Sequence, residues 1–341
     1  MATIRDVANL AGVSTATVSR VTSGVGAGVR PATRVRVQRA VEQLGYVPNA
    51  GPRFLRTQRS GKLLVTIPSV ADSVSGRMLQ AIAASASREG YGILLGITGA
   101  DGRKQRALMS TLASREAEGL ICVGDGLPLA IAGRLRGGRL VDVPAVTIGE
   151  TNATPGVCSV VVDSAVAASD ALHELLRYGH QEIAIVGGCD GDSRYVRQVA
   201  HLRATAEQLT PSPRLQFVTD SGRARSGVPQ GLEILGGSRV PTAVLCLSDA
   251  IAPGVIRAAA YHRLRVPGDV SVIALDEAGV GGHLEPALST MTPPFEAIGE
   301  ASVRFVLDRV RRAARAVHSI AVRYDFMKRC STESCAPRKR A

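Results

Sequence analysis

Apolar positions at the start of the chain recur at helical spacing, with two breaks. Ile4, Val7, Ala8 and Ala11 fall on one helical face; Thr3 stands at the N-cap position, and Asp6, three residues on, completes a capping-box pattern. Gly12 ends the run, Val13 turns back to the apolar side, and Ser14 caps a second helix from Thr15 to about Thr22. Val18 and Val21 face inward there, leaving Thr15, Ala16, Thr17, Ser19 and Arg20 outside. A third helix opens with Pro31 in its first turn, draws its apolar surface from Val35, Val37, Ala40, Val41 and Leu44, and stops at Gly45. Two short helices joined by a glycine-containing turn make a helix-turn-helix unit. Small residues at the start of its second helix permit close approach to base edges, and Arg20, one turn on, has the fork that grips guanine.

From Leu63 the rhythm changes to apolar strand followed by helix. Strands are predicted at Leu63–Ile67, Gly92–Ile97, Gly119–Val123, Ala145–Ile148, Val160–Val162, Ile183–Val186, Ala243–Leu247 and Val270–Leu275. Helices are predicted between them, including Ala165–Leu176, Val199–Leu209 and Ala250–His262. This alternation specifies an α/β body with parallel sheets and helices on both faces. Eight such units exceed one small sheet, so two lobes are expected, with a ligand site at the carboxyl ends of strands in the crevice between them.

Charge sharpens the contrast between the two parts. Residues 1–62 carry ten Arg or Lys against two acids, residues 63–322 are balanced, and residues 323–341 carry six against two. A basic headpiece on a neutral body is the footprint of phosphate-backbone binding. No apolar run is long enough to span a membrane, and the charged start Met1-Ala2-Thr3-Ile4-Arg5-Asp6 lacks the apolar stretch of a signal peptide, so a cytoplasmic protein is expected, nucleoid-associated when on DNA. The six cysteines match no common zinc spacing and are expected to be free thiols; no metal or other cofactor is expected. No P-loop, zinc-binding histidine pair or nucleophile elbow is present, and the histidines do not cluster, so no catalytic residues are assigned.

Specific stretches carry a resemblance. Thr3-Ile4-Arg5-Asp6-Val7-Ala8, Ala11-Gly12-Val13-Ser14-Thr15-Ala16-Thr17-Val18-Ser19-Arg20-Val21, Thr33-Arg34 and Leu44-Gly45-Tyr46-Val47-Pro48-Asn49-Ala50 run in the order and near-spacing of the LacI family of bacterial repressors. The resemblance implies that Thr15, Ala16 and Arg20 contact bases and that Thr17 and Ser19 face phosphates. The chain departs from the family in the glycine-rich loop Ser23–Gly28, about one residue longer, and in Arg30, which stands where a serine usually caps the third helix. Both departures predict a softer link between the second and third helices.

Asn49-Ala50-Gly51-Pro52-Arg53-Phe54-Leu55-Arg56-Thr57 resembles the family's hinge, which folds on specific DNA and wedges a leucine into the minor groove. Leu55 matches that leucine, and Asn49 and Arg53 join it as expected DNA-side residues. Pro52 is tolerable as a third helical residue but biases Gly51 away from helix, so this hinge helix is expected to form less readily.

In the body, Leu247-Ser248-Asp249, Gly254-Val255-Ile256, Leu264–Ile273 and Ile298-Gly299 resemble the family's effector domain, of periplasmic-binding-protein fold. The resemblance implies effector contacts at Asp72, Arg197, Ser248 and Asp276, and places Asp163 at a crossover between lobes. The expected division is a headpiece over 1–48, a hinge over 49–62, a first lobe from 63–160 plus 292–318, a second lobe from 161–291 plus 319–329, and a disordered basic tail over 330–341. The partners implied are a pseudo-palindromic double-stranded operator, a second copy of the chain, and a sugar or nucleoside effector. Asp72-Ser73-Val74-Ser75 stands where the family often has Asn-Pro-Phe-Phe, and with aromatics at 3% a stacking ring for a sugar is scarce. Ile121–Pro128 resembles the cytidine-type repressors, which keeps a nucleoside in play. The competing readings are a degenerate effector site, a transporter's solute-binding protein, which would need a signal peptide and no basic headpiece, and an enzyme fused to a DNA-binding domain.

Overall fold

Helices α1 (Ile4–Ala11), α2 (Thr15–Thr22) and α3 (Pro31–Leu44) form where the apolar spacing predicts. The computed structural model describes residues 2–22, 28–47, 59–70, 73–98, 108, 110–112, 114–124, 144–151, 157–188, 193–219, 227–276, 279, 281–312 and 317–335. It divides into two units, Met1–Ser60 and Gly61–Ala341.

In the first unit the three helices close around Val7, Ala8, Ala11, Val18, Val37 and Ala40, with Ile4, Val13, Val21, Val41, Leu44 and Tyr46 packed around them. The capping box of α1 is complete: Thr3 Oγ1 accepts from the Asp6 N–H at 3.4 Å, and the Thr3 N–H donates to Asp6 Oδ2 at 2.8 Å. Backbone and side-chain hydrogen bonds from Thr3 hold the Asp6 carboxyl below its ordinary value. Gly12 adopts the left-handed conformation (φ 61°) that lets the chain leave α1 and reverse into α2, a conformation a β-carbon would strain. The third helix differs on two counts. Arg30 sits at its N-cap with no side-chain cap bond, as its side chain requires. Val35, expected on the apolar side, is 46% exposed, because the core stripe runs through Val37, Ala40, Val41 and Leu44 instead.

The second unit holds two six-stranded sheets. Its elements are β1 (Lys62–Ile67), α4 (Ser73–Arg88), β2 (Gly92–Ile97), β3 (Gly119–Val123), β4 (Ala145–Gly149), β5 (Cys158–Val162), α5 (Ser164–Arg177), β6 (Glu182–Val186) and α6 (Ser193–Glu207). There follow β7 (Arg214–Val218), α7 (Val228–Leu235), β8 (Ala243–Cys246), α8 (Ala252–Tyr261), β9 (Ser271–Leu275), β10 (Ser289–Thr292), α9 (Phe295–Arg312), β11 (Ser319–Val322) and β12 (Asp325–Met327). The first sheet, ordered β11-β5-β4-β3-β1-β2, is parallel throughout. The second, β12-β10-β9-β8-β6-β7, is parallel except for its edge strand β12, which runs antiparallel to β10. Central strands read as continuous apolar runs because helices cover both faces; β9 is buried at every position.

Four strands escaped the sequence reading: β7, β10, β11 and β12. Three of them alternate exposed and half-buried residues along a sheet edge, and β10 is the polar run Ser-Thr-Met-Thr. Their signal lies in tertiary pairing rather than in an apolar run. One consequence corrects the expected lobe division. Residues 319–322 pair with β5 in the first sheet, so they belong to the first lobe, and the second lobe regains the chain only after Val322. The chain thus passes between sheets after β5, after β10 and after β11.

The final described segment ties down the second lobe. Ser331 Oγ donates to the Val272 carbonyl, and the Val272 N–H donates back to the Ser331 carbonyl at 2.8 Å. The Glu333 carbonyl lies 3.1 Å from Nε2 of buried His180, whose Nδ1 is 3.1 Å from Thr242 Oγ1. Burial holds this imidazole below the ordinary histidine value. Residues 330–335, expected as disordered tail, are therefore structured, while 336–341 lie outside the described residues. Cys122, Cys158, Cys246, Cys330 and Cys335 are free thiols, and burial pushes that of Cys122 up to about 11.

Candidate functional site

The outward side of α2 is a small polar platform. Thr15, Ala16 and Arg20 are exposed, while Thr17 and Ser19 are half-buried beside them. Its start is fixed by Ser14, whose Oγ accepts from the Thr17 N–H at 3.2 Å and lies 3.0 Å from Thr17 Oγ1. Val18 anchors the opposite side at full burial. The helix therefore presents two small side chains and then a guanidinium one turn later, on a rigid base. The expected hinge residues Asn49, Arg53 and Leu55 lie outside the described residues, as does Asp72.

In the second unit a charge cluster gathers at the carboxyl ends of strands. Glu150 follows β4, Asp163 follows β5, Asp276 follows β9 and Tyr324 follows β11; Arg194, Arg197 and Gln198 stand on the first turns of α6. Asp276 is its centre. It is 3% exposed and holds the left-handed conformation (φ 62°), strained for a residue other than glycine, though aspartate is among the most tolerant. Its Oδ1 accepts from the Tyr324 hydroxyl at 2.8 Å, and its Oδ2 takes a short charge-assisted bond from Arg194 NH2. Burial, first of all, and the Asp276 charge raise the Tyr324 phenol well above its ordinary value, which keeps it a donor.

Glu150 belongs to the first sheet yet is held by groups of the second lobe. Its carboxylate accepts from the Ser164 N–H and Oγ–H, both at 2.8 Å, and pairs with Arg194 Nε at 3.1 Å. Arg197 reaches it at 3.7 Å. Burial raises the Glu150 carboxyl, against the pull of Arg194 and of the Ser164 hydrogen bonds. Ser164 Oγ also accepts from Arg194 Nε and Gln198 Nε2, each at 3.0 Å. Asp163 caps α5 by accepting from the Ala165 and Val166 N–H groups, and its other oxygen takes Arg197 NH2 at 3.0 Å.

Of the expected effector residues, Asp276 and Arg197 enter this cluster, but Arg194 rather than Arg197 pairs with Asp276. Ser248, after β8, is half-buried, and its Oγ accepts from the Ala250 N–H, a local loop-shaping bond. Asp163 acts as helix cap and ion-pair partner at a crossover. Sequence reading missed Glu150, Ser164, Arg194, Gln198 and Tyr324. Arg194 lies one helical turn before Arg197, a spacing that puts both on one face; Glu150 and Tyr324 follow strands separated by most of the body and carry no local signal. A separate open groove of about 560 Å³, lined by His180, Arg239, Thr242 and Asp269 among others, opens at the amino ends of the second sheet's strands. No group of histidine, cysteine or carboxylate side chains suited to a metal occurs among the described residues, nor does a helix long and apolar enough to cross a membrane.

Residues 3–49 match the model of the bacterial regulatory proteins of the lacI family, and residues 172–332 match a periplasmic binding protein-like domain. The HTH-type transcriptional repressor PurR of Klebsiella pneumoniae (strain 342) is 30% identical over 333 residues, 97% of each chain. PurR of Salmonella paratyphi B is 31% identical over the same span. Among solved structures, the lac repressor dimer bound to operator and the anti-inducer ONPF superposes with a TM-score of 0.77 at 26% identity, covering 97% of this chain and 99% of that one. A complex of the transcriptional regulator CelR with cellobiose gives 0.66 at 26% identity, with 97% and 100% coverage. Two family models in the order headpiece then body, and curated relatives matched nearly end to end, lead to one conclusion: the chain belongs to the lacI family of bacterial regulatory proteins.

Proposed function

We propose that this DNA-binding transcriptional regulator is a repressor that reads a pseudo-palindromic operator as a homodimer, with operator affinity set by a small molecule held between its lobes. The observation that carries the reading is the exposed Thr15–Ala16–Arg20 face of a capped, core-anchored second helix. In this reading α2 lies in the major groove, Thr15 and Ala16 approach base edges, Arg20 forks onto a guanine, and Thr17 and Ser19 meet phosphates. Asn49, Arg53 and Leu55 complete the DNA side. Two copies put two such helices about one helical turn of DNA apart, which calls for a two-fold symmetric site.

The effector reading rests on the cluster around Asp276. Strain at Asp276, ionisable groups drawn from both lobes and placement at strand carboxyl ends are features of ligand sites in folds of this kind. Asp276 and Arg197, with Asp72 and Ser248, are the proposed effector contacts, and Glu150 and Arg194 join them. A molecule bound there would bias the lobes toward one arrangement and so shift DNA affinity, with DNA shifting its affinity in return. A sugar or a nucleoside fits a site of carboxylates and guanidinium groups. PurR, a repressor by name, and the cellobiose complex of CelR support this division of labour.

The test is selection of bound sequences from random duplexes with the full chain, followed by titration of the selected site with sugars and nucleosides. A two-fold symmetric consensus whose affinity changes with one of these compounds is the expected result. Equal affinity for selected and random duplexes at physiological salt would overturn the reading.

A further inference from the structure

To bias the lobes, a ligand must interact differently with their arrangements, most simply by touching both. The first sheet contributes Glu150 to the cluster, and Ser164 and Arg194 already hold it. A cation of the first lobe stands nearby. Resting on the reading of the cleft as the effector site, we propose that Arg77 is a specificity-determining residue of that site. The effector is then an anion, with its phosphate or carboxylate gripped by Arg77 while its hydrogen-bond donors meet Asp276.

Arg77 opens the second turn of α4, in the first lobe. Its guanidinium carbon lies 5.0 Å from the centroid of the Phe295 ring, a cation–π contact. Phe295 is 1% exposed and begins α9, just after the chain crosses from the second sheet, so the base beneath the guanidinium is fixed. The other side of the group meets the second lobe. Its Nη1 lies against Gly279, three residues after Asp276, and a β-carbon placed on that glycine would be 3.6 Å away. Gly279 holds φ 107°, a conformation that favours glycine, so the loop passes the guanidinium with bare backbone. Arg77 is thus positioned at the junction of the lobes, beside the segment that carries Asp276.

Its partners set it apart from the arginines of the cluster. Arg194 pairs with Asp276 and Glu150, and Arg197 with Asp163. Arg77 is half-buried and forms no hydrogen bond or ion pair with a described residue. An aromatic face attracts its charge but leaves the N–H fork open, and that fork matches a carboxylate or a phosphate bidentately. An anion bound here breaks no protein ion pair. The opposite end of the ligand has a place as well. A carboxylate has about four lone-pair sites, and the Asp276 oxygens take one bond each from Tyr324 and Arg194. Hydroxyl, amino or ring N–H groups add to such acceptors. An uncharged sugar or nucleoside uses the Asp276 end and leaves a half-buried fork without a matching acceptor.

The experiment compares matched pairs on the full chain, in about 0.15 M salt to screen the basic headpiece. The pairs are ribose and ribose 5-phosphate, glucose and glucose 6-phosphate, glucose and glucuronate, and guanosine and its 5′-monophosphate, so phosphate and carboxylate are told apart. Thermal shift finds binders, and titration calorimetry measures them. The expected result is an anionic member that binds at least about tenfold more tightly than its uncharged counterpart. In Arg77→Met, which keeps the length and the contact with Phe295, that gap should close while the uncharged member binds as before. If Arg77→Met does not fold, Arg77→Lys carries the test: it keeps the charge without the fork, and the gap should shrink. A gap that persists unchanged in the folded variant overturns the assignment to Arg77. Uncharged members that bind as tightly as their anionic partners overturn the proposal and leave the effector reading intact. No shift with any member of any pair overturns both.

Discussion

The headpiece and the interlobe cluster solve opposite problems with the same kinds of side chain. On α2, Arg20 stands exposed above a helix fixed from beneath by Val18 and from its start by Ser14. Its side chain faces outward, where a partner can reach it. In the cluster, Arg194 is bound on both sides, and each carboxylate has a protein donor. There the charges are spent on one another and hold the protein together. An arginine's environment therefore decides what its loss should do: on α2 it should damage binding and spare the fold, and in the cluster it should damage both.

The most severe test of this contrast is Asp276→Ala. It removes the partner of both Arg194 and Tyr324, and lowers the unfolding free energy of the body by about 3 kcal/mol, near the low end for a buried pair because Arg194 is half-buried. Urea unfolding reads this, and an unchanged midpoint would mean that the cluster adds nothing to stability. Next comes Arg20→Ala. Its expected effect is a loss of about 2 kcal/mol on the selected operator, roughly thirtyfold, with a much smaller loss on random duplex and a melting temperature within error of wild type. A clear drop in melting temperature would place Arg20 among the structural arginines and erase the contrast.

A comparison inside the headpiece sharpens it further. The start of α1 is capped and that of α3 is not. Thr3→Ala should destabilise the headpiece by about 1 kcal/mol, and Arg30→Ser should stabilise it by up to about as much. Hydrogen exchange of headpiece amides in the full chain reads both. An Arg30→Ser change that also weakens DNA binding would assign Arg30 a phosphate contact in place of a cap.

The smallest effect expected is from pH. His180 is buried with its pKa below the unfolded value, so folding favours the neutral ring. Stability present above about pH 6.5 is lost as pH falls through the folded value. His180→Gln should flatten this part of the stability profile, and an identical profile in both proteins would exclude His180 as the source.

Apolar periodicity sufficed for α1, α2 and α3 to their ends, and for most central strands. Capping was legible for the same reason: Thr3, Asp6 and Ser14 act over three residues. The outward side chains of α2 could be named because a short amphipathic helix assigns inside and outside by itself. The cluster was only half legible. Asp276 and Arg197 were found through resemblance, but Glu150, Ser164 and Tyr324 are brought to Arg194 and Asp276 by strand order and crossovers. The edge strands were missed on similar grounds, since β11 and β12 are specified by the strands they join and not by their own residues.

Those two short strands have a consequence for how the protein is made. β11 closes one edge of the first sheet and β12 one edge of the second, and both follow residue 318. On the ribosome, where domains form from the N-terminus onward, neither lobe of the nascent chain has its full set of strands until Ser319–Met327 have been made. Until then β5 and β10 each offer an open edge to any neighbouring chain. A stop codon just before residue 319 would deprive both lobes at once, although it removes only a small fraction of the sequence.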